Sequence, residues 1–136
     1  VIIEADGTKG LPLKVPNEHE PVIPPFADAV VAVAGLSALG QPLGRVCHRP
    51  ELAALRFGLS PEETVTPEIM ARLLSSPLAQ RKGVGDRPYA VLLNQADAAP
   101  PGGADAVAAL LLQNGVQRVV AAALQHRPGE YHAWTR

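Results

Sequence analysis

Two short stretches carry side chains whose types and spacing could do chemistry. In the opening VIIEADG, Glu4 and Asp6 stand two residues apart behind an apolar β-branched run, so in extended backbone both carboxylates project from one face. Such a pair can hold a hydrated Mg²⁺, a hard cation suited to a few carboxylates plus water and phosphate oxygens. Gly7 lets backbone approach a phosphate closely. Further on, Asn94-Gln95-Ala96-Asp97 follows a second apolar run, YAVLL. An ionised Asp97 could accept hydrogen bonds from both the ring N–H and the exocyclic amine of guanine, with Asn94 bracing the loop. Either stretch can equally be an ordinary turn, since Asp, Asn and Gly are common turn residues.

The elements needed to position these groups follow from hydrophobic runs and their stops. Val1 to Ala5 reads as a strand buried on both faces, as in a parallel sheet. Gly7 to Asp28 holds five prolines and predicts a long loop without regular hydrogen bonding. AVVAVA over 29–34 predicts a second strand. HRPELAALRFGL predicts a helix with Pro50 in its first turn, Leu52, Leu55 and Leu59 on its apolar face and Gly58 near its end. TPEIMARLLSS predicts another, capped by Thr66, with Ile69, Leu73 and Leu74 inward. A polar connection over 81–88 leads to a third strand at Tyr89 to Leu93. A helix over 104–113 stops at Asn114-Gly115, and a fourth strand spans 118–124. Strands alternating with helices predict an α/β fold with a mostly parallel sheet and right-handed crossovers, one domain over residues 1–136. In such sheets ligands bind beyond the carboxyl ends of strands, which is where both polar stretches would fall.

Composition narrows the partners. Twelve basic against thirteen acidic residues give a net charge of -1, with no polybasic stripe, so nucleic acid and anionic membrane are not expected. No apolar run reaches the ~20 residues of a membrane span. A single cysteine, Cys47, cannot form an internal disulfide and is compatible with a reducing cytoplasm.

The stretch EADGTKGLPLKVPNEHEPVIPP closely resembles the signature of the selenium-dependent molybdenum hydroxylase accessory proteins, the YqeC-like family. VAGLSALGQPL, HRPEL, the TPE helix start and LLNQAD extend the resemblance to Asp97. The first acidic stretch also resembles the motif after the third strand of phosphate-binding-loop NTPases, and Asn94–Asp97 resembles the N-[KQ]-x-D base motif of GTPases. No G-x-x-x-x-G-K-[ST] phosphate loop occurs, nor any Gly-Lys dipeptide.

The resemblance implies the C-terminal portion of a P-loop-NTPase-like, three-layer accessory protein whose upstream half carries that loop. It implies an accessory role in maturation of molybdenum hydroxylases, with the complete protein binding GTP or ATP with Mg²⁺ and this chain alone inactive. It places Glu4 and Asp6 at Mg²⁺ and at catalysis, Gly7 at phosphate, and Asn94 and Asp97 at the base. Lys9, Lys14, His19 and Glu20 fall in the signature loop. Lys9 and Lys14 could neutralise phosphate, and His19 could shuttle a proton. The partners it implies are nucleotide and a hydroxylase or its maturation machinery, with a second copy or the upstream half covering an exposed sheet edge. A non-enzymatic scaffold docking through the 7–28 loop is the alternative, and selenium transfer through Cys47 a third. His126 and His132 read as structural.

Overall fold

A computed structural model describes all residues Val1–Arg136. Its strands are β1 Leu13–Lys14, β2 Val30–Gly35, β3 Cys47–His48, β4 Tyr89–Asn94, β5 Arg118–Ala122 and β6 Tyr131–Thr135. Its helices are α1 Leu43–Val46, α2 Pro50–Phe57, α3 Pro67–Ser75 and α4 Gly103–Gln113, with 3-10 turns at Leu36–Ala38 and Ala96–Ala98. The main sheet runs β2-β4-β5-β6, parallel across the first three strands and antiparallel at β6. β1 and β3 form a separate parallel pair. The fold is α/β, as the alternation predicts. No helix is long and apolar enough to cross a membrane.

Both crossovers, β2 to β4 and β4 to β5, step the same way across the sheet. Right-handed connections then return on one side, and α3 packs on α4 there. Ala32, Ala34, Tyr89, Val91, Leu93, Val119 and Ala121 face that side and join a single core cluster. The opposite face carries the register row Val33–Leu92–Val120–Ala133. None of these four belongs to the core, and Val31 and Val33 are 58% and 52% exposed. The expected three layers are therefore two, because one-way winding gives this chain no crossover with which to cover the second face.

The expected strand at Val1–Ala5 does not form. Its apolar side chains Val1, Ile2 and Ile3 are exposed, and its one backbone hydrogen bond of the loop type runs from Val22 N–H to the Ala5 carbonyl at 3.2 Å. β-propensity does not make a strand without a neighbour to complete the ladder. The other elements lie where their caps place them. Thr66 Oγ1 accepts from Ile69 N–H at 3.2 Å to start α3, and α2 ends at Gly58 with φ 67°. On α2 the buried residue is Ala53, whereas Leu55 is exposed. β6 is an element that the sequence reading missed.

Candidate functional site

The proline-rich signature loop has a local problem: it holds many carbonyls and few N–H groups, so its acceptors need donors from elsewhere. Distant side chains supply them. Lys82 Nζ donates to the carbonyls of Asn17, Glu18 and Glu20 at 2.9, 2.7 and 2.7 Å. Gln80 donates to the Lys14 carbonyl at 2.8 Å, Arg56 to Pro16 at 2.7 Å and Arg87 to Ala27 at 3.0 Å. The loop is thereby fixed against the segments that precede β4.

At its centre Lys14 has a fully buried side chain. Its ammonium donates to the Gly7 carbonyl at 2.7 Å and to Glu20 Oε2 at 2.9 Å, and lies 3.1 Å from Asp6 Oδ2. Three acceptors meet the three N–H groups of an ammonium, although the Asp6 contact is too oblique to count as a hydrogen bond. Glu20 Oε1 accepts from Arg49 at 2.5 Å. Desolvation pushes the Glu20 carboxyl up, but the Lys14 and Asn17 hydrogen bonds with the Lys14 and Arg49 charges outweigh it and hold the group below its usual range. Desolvation, then the charges of Arg49, Lys14 and Lys9, depress His48.

This arrangement brings together Asp6, Gly7, Lys14 and Glu20 among the predicted residues and leaves others apart. Glu4 and Lys9 are exposed, Lys9 with φ 53° on the Thr8–Leu11 turn. His19 is exposed beside Glu18 at 3.5 Å. A Mg²⁺ at Asp6 does not fit this geometry, because the carboxylate already faces the chain's own buried cation. No group of three or more His, Cys, Asp or Glu side chains is placed to hold a metal ion. Cys47 is buried, and that burial pushes its thiol up to about 12, which leaves almost no thiolate near neutrality.

The second cluster sits at the carboxyl end of β4. Gln95 takes a left-handed φ of 60° and its Oε1 accepts from Ser37 Oγ at 2.6 Å. Gly35, closing β2, donates its N–H to the Pro12 carbonyl at 2.8 Å. A Cβ there would lie 2.2 Å from Gln95 Oε1 and 2.7 Å from Pro12 Cβ, so glycine is what lets three loops meet. Pro12 thus links the signature loop to the Asn94–Asp97 turn, but Glu4 and Asp6 make no hydrogen bond or ion pair with that turn. Asn94 Oδ1 accepts from Leu124 N–H at 3.1 Å, bracing the β5–β6 loop. Asp97 Oδ2 lies 2.5 Å from His126 Nδ1, and that hydrogen bond holds its carboxyl below the usual range.

Beside Asp97 opens a cavity of about 470 Å³ between the start of α4 and the β5–β6 strands, lined among others by Asp105, Ala121, Arg127, Tyr131 and Trp134. His132 packs edge-on to Trp134 at 4.4 Å. Aromatic walls with a carboxylate at the margin can take a planar ring that presents N–H donors. Gly35 and Ser37 fall in the VAGLSALGQPL match and His126 reads as structural, yet neither they nor Trp134 draw a site role from sequence, because the contacts of Gly35, Ser37 and His126 are with partners distant in the chain.

Residues 1–51 match the family model described as YqeC protein. In that first segment the chain is similar to the YqeC family. It is also 39% identical over 85 residues to "Uncharacterized protein YqeC" of Escherichia coli (strain K12), a match covering 62% of this chain and 33% of that protein. The chain thus spans about a third of the length of the curated relative it matches. No solved structure matches. The YqeC segment contains Lys14 and its acceptors, β2, Gly35 and Arg49, whereas Asn94, Asp97 and the cavity lie outside it.

Proposed function

We propose that the chain contributes the base-recognising part of a nucleotide-binding accessory factor, one that serves maturation of selenium-dependent molybdenum hydroxylases. The observation that carries the nucleotide reading is Asp97: an ionised acceptor at the margin of a 470 Å³ cavity with Tyr131 and Trp134 in its lining. The YqeC segment supports the accessory role through the signature it shares. Asn94 and the Gln95–Ser37 bond hold the turn in place, Asp97 accepts the N–H groups of a base, and Trp134 offers it an aromatic wall. GTP and ATP are both candidates at this level.

The test is an NMR titration of the protein with guanosine and adenosine monophosphates. Binding that perturbs Ala96–Ala99 and Tyr131–Trp134, and that weakens about tenfold or more in Asp97→Ala, supports the reading, since a hydrogen bond to a charged group is worth about 1.5–3 kcal/mol. Affinity unchanged by Asp97→Ala overturns it.

One observation favours a docking role alongside. The pinned loop leaves Val22 and Phe26 65% and 76% exposed on backbone that Lys82 and Arg87 hold still. Loss of hydroxylase capture in a Val22→Ser, Phe26→Ser double variant, with nucleotide affinity intact, would assign docking to this loop.

A further inference from the structure

We infer that His126 is an internal competitor for the Asp97 carboxylate, and that it weakens the binding of any base that must displace it. The inference rests on the nucleotide reading of the same cavity. Three observations converge on it. The imidazole is the side-chain hydrogen-bond partner of Asp97. Its side chain is 66% exposed while that of Asp97 is 25% exposed, so the ring lies on the solvent side of the carboxylate. The loop that carries it is tied down two residues earlier, where Leu124 N–H donates to Asn94, and again where Arg127 N–H donates to the Ala123 carbonyl at 2.7 Å.

With its backbone anchored on both sides, His126 yields the carboxylate by turning its side chain, without displacement of the whole loop. The exchange is one of donors. A single imidazole N–H leaves, and the incoming edge must supply at least as much to the same two oxygens. Guanine offers a ring N–H beside an exocyclic amine, two adjacent donors for two carboxylate oxygens. Adenine offers one amine beside an unprotonated ring nitrogen, whose lone pair faces the carboxylate unfavourably. The preference for a two-donor base therefore belongs to the Asp97 carboxylate, and displacement of His126 weakens the binding of both bases by the same factor. Arg127, which lines the same cavity, remains when His126 is removed and keeps a positive charge close to the site.

Guanosine and adenosine monophosphates are titrated into the wild type, His126→Ala and His126→Asn, with Asp97→Asn as reference. Guanosine monophosphate is expected to bind several-fold to about tenfold more tightly to His126→Ala, with His126→Asn between. Adenosine monophosphate is expected to remain at least tenfold weaker throughout. Guanosine affinity that is unchanged or reduced in His126→Ala overturns the competition. Equal affinity for the two bases in the wild type overturns the selectivity. A second measurement separates this from failure of the nucleotide reading itself: in ligand-free protein, the His126 ring resonances should shift in Asp97→Asn. If they do not, the contact is absent in solution and the inference falls, whatever binds in the cavity.

Discussion

Two of the places where the molecule sets a carboxylate against a cationic or ionisable side chain, Lys14 and Asp97, are built in opposite ways. At Lys14 the cation is fully buried, donates to Gly7 and Glu20 and lies 3.1 Å from Asp6, with Arg49 closing the other side of Glu20. At Asp97 the partner is one imidazole at the surface. The first cluster cannot be opened without stranding charge in the interior, whereas the second can exchange its partner for a ligand at little cost to the fold. The residues that make the signature recognisable, Asp6, Gly7, Lys14 and Glu20, are thus occupied in holding a proline-rich loop. The proposed base site lies about 80 residues further along the chain, by the spacing of Lys14 and Asp97.

The contrast predicts its own largest effect. Lys14→Ala should cost about 3–5 kcal/mol in urea unfolding, the usual penalty for removing one partner of a buried ion pair. Asp97→Ala should leave the urea midpoint close to that of the wild type, as surface changes do. Comparable losses in the two variants would erase the distinction. A smaller effect is expected where the regions touch. Gly35→Ala pushes a methyl against Pro12 and Gln95 and should destabilise by about 1–3 kcal/mol, with amide shifts in both the signature loop and the Asn94–Asp97 turn. Shifts confined to one of them would show that Pro12 does not couple the two.

The smallest effect is an acid one. The folded-state pKa of Glu20 lies below its ordinary 4.5, so its contribution to stability is complete above that value and is lost as pH falls through the lowered one. Glu20→Gln should therefore flatten the stability profile on the acid side of 4.5 and leave its slope near neutrality unchanged. An unaltered acid limb would mean that the Lys14 cluster does not hold Glu20 ionised.

Much of the frame was legible because local signals agreed. Thr66 with Pro67 opens α3, Gly58 closes α2, and the apolar runs of β2 and β4 stop at Gly35 and Asn94. Val1–Ala5 has equally strong strand propensity and failed, because a ladder needs a second strand that a propensity cannot announce. YHAWT is mostly exposed, and its pairing with β5 is a long-range fact. At the candidate site, spacing picked out Asn94 and Asp97. Their grip on Leu124 and His126, across about thirty residues, has no local signature. Nor could spacing reveal that Asp6 would face the buried Lys14.

One-way winding has a practical corollary for sequence drift. Val33, Leu92, Val120 and Ala133 span all four strands outside the core, and they stabilise the sheet through lateral contact with cross-strand neighbours. Within this chain, change in that strip meets no interior fit. A threonine at Val33 would keep the β-branched shape the strand favours and make the molecule more hydrophilic without disturbing a helix.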